Sequence, residues 1–229
     1  MTISTDTLLG NSFVIAVPGN EAQLSRFCRL FRWAFPGRRL PRVYRGFKNR
    51  GLGGNYNCSL SHAGVVRMAK ALDMPFVCIF EDDAYPCNDA ESALAGVLHA
   101  VPDDAGVLVL GYLSRTDTLV DDAGRVPHSE AIRFMRSGNT WGTHAYVVFS
   151  GFYDGFISAC EEHVNLGPDA FVEKYREVAV SDRCLFIQFN VGSSEGIHRH
   201  SGYSGAGRVN MASPPAGFAR YEDIIGEGQ

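Results

Sequence analysis

The sequence predicts an α/β domain with a mostly parallel central sheet flanked by helices, and three observations carry that reading. Short apolar runs (Phe13 to Val17, Phe76 to Phe80, Gly106 to Gly111) alternate with segments whose apolar residues recur at helical spacing, the pattern of strands joined by crossover helices. The runs at Phe76 to Phe80 and Gly106 to Gly111 are continuous, as central strands buried on both faces require. The chain has 229 residues, 45% hydrophobic and 20% charged, enough for one large core in a single domain.

Each element follows from local signals. Phe13 to Val17 is a strand closed by the Val17-Pro18-Gly19 turn. Asn20 can cap a helix carrying Leu24, Phe27, Cys28, Phe31 and Phe35, which Pro36-Gly37 stops. Arg42 to Phe47 is a second strand, and Lys48 to Asn57 a Gly/Asn-rich loop. Cys58 to Leu72 reads as a helix with Val65, Met68, Ala69 and Leu72 on one face. Phe76 to Phe80 is a strand that ends directly in Glu81-Asp82-Asp83. Asp89 to Val101 is helical, Gly106 to Gly111 a strand, and Ser114 to Ser129 polar. Ala131 to Met135 and His144 to Phe149 are further strands; Phe152 to His163 and Pro168 to Val178 read as helices. The tail over 192–229 is rich in Gly, Ser and His.

No apolar run approaches the ~18 residues that span a bilayer, and MTISTDTLLG lacks the basic and apolar regions of a signal peptide. Six cysteines (Cys28, Cys58, Cys78, Cys87, Cys160, Cys184) show no CxxC and no zinc spacing. Cys58, Cys78 and Cys184 lie in apolar segments and read as buried thiols, so a reducing cytoplasm is expected.

The net charge of −4 hides an asymmetry. Between Ala22 and Leu72 there are eleven Lys or Arg residues and no acid, leaving ten bases against all 25 acids elsewhere. Such a split marks either a surface for phosphate, nucleic acid or anionic lipid, or a solvated helix face with a basic loop. The overall acidity argues against a nucleic-acid binder.

Three segments could carry chemistry. Val77 to Ala84 (VCIFEDDA) is a buried strand releasing three carboxylates at its C-terminal end, the ligand crevice of an open α/β sheet. Adjacent acids repel unless a cation lies among them, so the motif is either a site for a hard ion such as Mg²⁺ or Mn²⁺ or a solvated acidic turn. Gly53 to His62 (GGNYNCSLSH) is a Gly-rich loop entering a helix, where free N–H groups suit phosphate or sugar hydroxyls. Gly142-Thr143-His144-Ala145-Tyr146 leads small and polar residues into a strand.

In the order GNYNCSLSH, FEDDA, GTHAYVVFS, these segments resemble the lipopolysaccharide-type glycosyltransferases of family 25, which include the collagen β-galactosyltransferases. The resemblance runs from about Gly53 to Leu185. It implies a GT-A (Rossmann-like) fold and a bacterial, metal-dependent, inverting hexosyltransferase. The implied donor is a nucleotide-diphosphate sugar, usually a UDP-hexose (galactose or glucose); the implied acceptor is a glycan or glycolipid such as lipopolysaccharide. Carried over by position, Asp83 is the direct ligand of Mn²⁺ or Mg²⁺, with Glu81 or Asp82 supporting. His198 or His200 is a further ligand, unless the two simply lie in an exposed tail. Asp182, in a loosely matching V-D-x-x-L segment, is the catalytic base or else a helix cap. Gly54, Asn55, Ser61, His62, Arg26, Thr143 and His144 are the donor-binding candidates. The chain departs from the family at its first strand, where Ile15-Ala16-Val17-Pro18-Gly19 replaces I-N-L-D-R, and at Asn55 and Asn57. That departure motivates an alternative, a catalytically degenerate nucleotide-sugar or glycan binder. The expected location is cytoplasmic, with the basic 22–72 segment available to an anionic inner-membrane surface.

Overall fold

The computed structural model describes residues 3–111, 114–115, 132–134, 140–141, 144–164, 168, 178–181 and 185–188. Helix α1 (Thr5–Gly10), strand β1 (Ser12–Ala16), helix α2 (Glu21–Ala34), strand β2 (Arg42–Arg45), helix α3 (Gly54–Ala71) and strand β3 (Phe76–Glu81) form the first half. Strand β4 (Ala84–Pro86), helix α4 (Ala90–His99) and strand β5 (Val107–Gly111) follow. Then come β6 (Ser114–Arg115), β7 (Ile132–Phe134), β8 (Thr140–Trp141), β9 (Ala145–Phe149), α5 (Tyr153–Glu162), β10 (Val178–Ser181) and β11 (Phe186–Gln188).

One nine-stranded sheet runs β2-β1-β3-β9-β5-β10-β7, with β11 pairing β5 and β4, while β6 and β8 form a separate ribbon. Strands β1, β2, β3, β5, β10 and β11 run one way, and β4, β7 and β9 the other. The mostly parallel α/β architecture therefore stands, with one qualification. Strand β9 lies reversed at the middle of the sheet, between β3 and β5. An apolar run reads the same in both directions, so sequence pattern alone does not report a reversal.

Side chains alternate strictly between two cores, as period two demands. Val14, Phe76, Cys78, Phe80, Leu108, Leu110, Ala145 and Val147 face α1, α2 and α4. Phe13, Ile15, Val77, Ile79, Val107, Val109, Tyr146 and Val148 face α3 and α5. On the first side, Phe27, Phe31 and Phe80 pack with ring centroids 5.6–5.9 Å apart, favoured tilted geometries for aromatic pairs.

Other departures from the sequence reading are local. Helix α1 has no counterpart in that reading; the Ser4 hydroxyl accepts the Thr7 N–H at 3.1 Å and so caps it. Helix α3 begins at Gly54, inside the expected loop, with the Asn57 N–H donating to the Gly53 carbonyl. Its polar first turn carries no apolar periodicity to announce it. Val178, expected to end a helix, opens strand β10. Cys58 is half-buried rather than buried, while Cys78 is fully enclosed. No described helix is long and apolar enough to cross a membrane.

Candidate active site

The carboxyl ends of β1 and β3 and the first turns of α3 meet at one edge of the sheet, together with the start of β9. After Ala16 the chain turns through Val17, Pro18 and Gly19; Gly19 has φ +87, a conformation glycine adopts without strain. Glu81 closes β3, and its N–H donates to the His144 carbonyl at 2.9 Å, tying the acidic motif to the head of β9.

The three acids have different surroundings. Asp82 is 5% exposed; its carboxylate accepts the Val17 N–H at 3.0 Å and the Gln23 amide at 2.9 Å. Burial pushes this carboxyl up to about 6, and those hydrogen bonds pull it partly back. Asp82 therefore serves as a strut between β3, the turn after β1, and α2. Glu81 faces α3, where it lies 3.0 Å from His62 Nε2 and 3.9 Å from Cys58 Sγ. Asp83 is half-buried at the tip of the turn into β4.

His62 is 1% exposed. Its Nδ1 lies 2.5 Å from the Tyr146 hydroxyl, and the two rings stack at 5.7 Å. The pairing that satisfies all three groups has Tyr146 donating to Nδ1 and Nε2–H donating to Glu81. Ser61 is also buried; its hydroxyl donates to the Asn57 carbonyl and accepts the Phe47 N–H at 2.7 Å. His144 is wholly buried, and its Nε2 donates to the Phe186 carbonyl at 2.8 Å. Burial holds its ring down to about 4, partly countered by that bond. Gly111 makes this approach possible, since a Cβ there would sit 2.6 Å from His144 Nε2.

The fold thus gathers the GNYNCSLSH and FEDDA segments and His144-Ala145-Tyr146 of GTHAY into one cluster. Gly54 and Asn55 lie in the first turn of α3, Gly54 exposed and Asn55 half-buried. Arg26 is half-buried on α2. Thr143, Asp182, His198 and His200 lie outside the described residues, Asp182 immediately after β10. Sequence reasoning missed the roles of Gln23 and Tyr146. For Tyr146 a signal existed: a phenol inside an apolar strand needs a buried partner for its hydroxyl. A cavity of about 440 Å³ lined by Pro75, Asp103, Asp104, Gly106 and Phe149 opens at the opposite edge, before β3 and β5. That edge lies away from the carboxyl ends of the strands, where open α/β sheets bind ligands.

Comparison with solved structures places this architecture. A glycosyltransferase involved in the glycosylation of the major capsid of PBCV-1 superposes with TM-score 0.50 at 9% identity, covering 80% of this chain and 94% of its own. The fold is of the GT-A type. Mannose-1-phosphate geranyltransferase from Thermus thermophilus aligns with TM-score 0.41 at 14% identity, over 74% and 72% of the two chains. No family model and no curated protein matches the sequence.

A hard cation commonly takes one or two carboxylates and fills its remaining positions with substrate oxygens and water. Asp83, at the turn tip, fits that demand. Asp82 is committed to Val17 and Gln23, and Glu81 faces His62.

Proposed function

We propose that this chain is a metal-dependent, inverting glycosyltransferase of the family 25 kind. In this reading it moves a hexose from a nucleotide-diphosphate sugar, such as a UDP-hexose, to a saccharide or glycolipid acceptor of the lipopolysaccharide class. The supporting observation is the convergence of the three motif segments on one acidic turn at the carboxyl end of β3, in a GT-A fold. Asp83 would hold Mn²⁺ or Mg²⁺, with His198 or His200 as a further ligand. The ion would supply charge neutralisation to the departing diphosphate. Gly54 and Asn55 offer the positive end of α3 to phosphate, and Arg26 and Thr143 complete the donor contacts. Ser61, His62 and His144 act from behind by fixing Phe47, Glu81 and β11. Asp182 would take the acceptor proton. In the same reading the chain works in the cytoplasm, with its basic 22–72 segment available to an anionic membrane surface.

The test is a panel of nucleotide-sugars with and without Mn²⁺, scored by nucleotide release. Release from a UDP-hexose that depends on Mn²⁺ is expected; no release from any donor would refute the reading. A second reading, a non-catalytic binder, draws on the commitment of Asp82 and Glu81 to protein groups. Nucleotide-sugar binding without turnover across many acceptors selects it.

A further inference from the structure

We propose that Cys58, His62 and Glu81 form a second cation site, suited to a borderline ion of the zinc class rather than to Mg²⁺ or Mn²⁺. The three ligand atoms, Sγ, Nε2 and a carboxylate oxygen, all lie within 4.8 Å of one another. Cys58 and His62 are one helical turn apart on α3 and face the end of β3. Nitrogen, sulfur and oxygen donors together are the set that zinc and cobalt take, whereas hard ions prefer oxygen alone.

The spacing is close to what a tetrahedral ion needs. Bond lengths of about 2.0–2.3 Å place neighbouring ligand atoms about 3.3–3.6 Å apart. Here Nε2 to Oε1 is 3.0 Å and Sγ to Oε1 is 3.9 Å. Small side-chain rotations therefore close the site without moving either element. The ring is already oriented by Tyr146, which sits 2.5 Å from Nδ1 and stacks on the imidazole from the adjacent strand; such outer partners fix metal-binding histidines. On binding, the ring proton shifts to Nδ1, where the Tyr146 oxygen accepts it. Cys58 releases its thiol proton to solvent, so one proton leaves per ion. Cys58 and Glu81 are only half-buried, which leaves an entry path and room for a fourth ligand.

The site does not rest on the glycosyltransferase reading, and its test contains no donor. Metal-free full-length protein is titrated with Co²⁺ and followed by absorption. A thiolate-to-cobalt charge-transfer band in the near ultraviolet is expected, saturating at one equivalent. Cys58→Ser should abolish that band, and Tyr146→Phe should keep it while weakening binding about 10- to 100-fold. Absence of the band in the wild-type protein, or its persistence in Cys58→Ser, overturns the proposal. The wild-type spectrum decides even where a variant folds poorly.

Discussion

The acidic turn and the basic segment carry the opposite halves of one charge asymmetry, yet they spend their charge differently. At the end of β3 the acids are buried or half-buried, and Asp82 and Glu81 each hold a defined partner on another element. In the basic segment, Arg38 pairs with Asp6 and Glu91 at 2.5 and 2.6 Å, Lys70 pairs with Asp154, and Arg67 pairs with Glu161. These pairs are largely solvent-exposed, where ion pairs contribute little and salt screens them. Lys48 donates to the Pro18 carbonyl, and Arg42 lies over the Phe13 ring. Much of the positive charge therefore answers acids and loops of the same chain. Burial decides how much each charge matters, and charge counting does not see it.

Breaking the acidic side should have the largest effects. Asp83→Asn is expected to lower Mn²⁺-dependent donor turnover roughly 100- to 1000-fold, the scale for removing one group that stabilises developing charge. Unchanged turnover would place the ion elsewhere.

His144 sharpens the contrast through pH. Its folded value of about 4 lies below the unfolded 6.5, so the unfolded chain binds the extra proton first. The stability this provides is present above about pH 6.5 and is lost as pH falls towards 4, by about 3 kcal/mol in all. Asp82, raised to about 6, works in the opposite sense over the same window, so the reading is a difference: as pH falls from about 6.5 towards 4 in urea denaturation, wild type should lose stability relative to His144→Gln; equal slopes would count against the buried-neutral assignment.

Next comes His62→Phe, which keeps ring volume but removes both hydrogen bonds. A loss of about 2 kcal/mol is expected from the buried Tyr146 hydroxyl and the Glu81 carboxylate left without it, and no measurable loss would remove His62 as their organiser. Smallest of all, Lys70→Ala or Arg67→Ala should cost under about 0.5 kcal/mol and vanish in high salt. A salt-independent loss above about 1 kcal/mol would contradict the division drawn between the two regions.

The strands and main helices were legible because their signal is local. The continuous apolar run Phe76 to Phe80 and the helical spacing of Phe27 and Phe31 on α2, and of Val65 and Ala69 on α3, are written in sequence order. The reversal of β9 and the Asp82 strut were not, because each depends on a partner far along the chain, and the early start of α3 was not, because its polar first turn carries no apolar period. Val17 and Gln23 lie 65 and 59 residues from Asp82. The resemblance makes His62 and His144 donor-binding candidates; the fold places both rings in the interior, facing Glu81 and Tyr146 in one case and Phe186 in the other.

We propose that Asp83, through the ion it would hold, and not the ion-paired cations of the basic segment such as Arg67, commands the nucleotide. Calorimetric titration of UDP into wild type, Asp83→Asn and Arg67→Ala, each with and without Mn²⁺, tests it most directly. Mn²⁺-dependent binding that Asp83→Asn loses and Arg67→Ala retains is expected. Binding that ignores Mn²⁺, or that survives in Asp83→Asn, would contradict it.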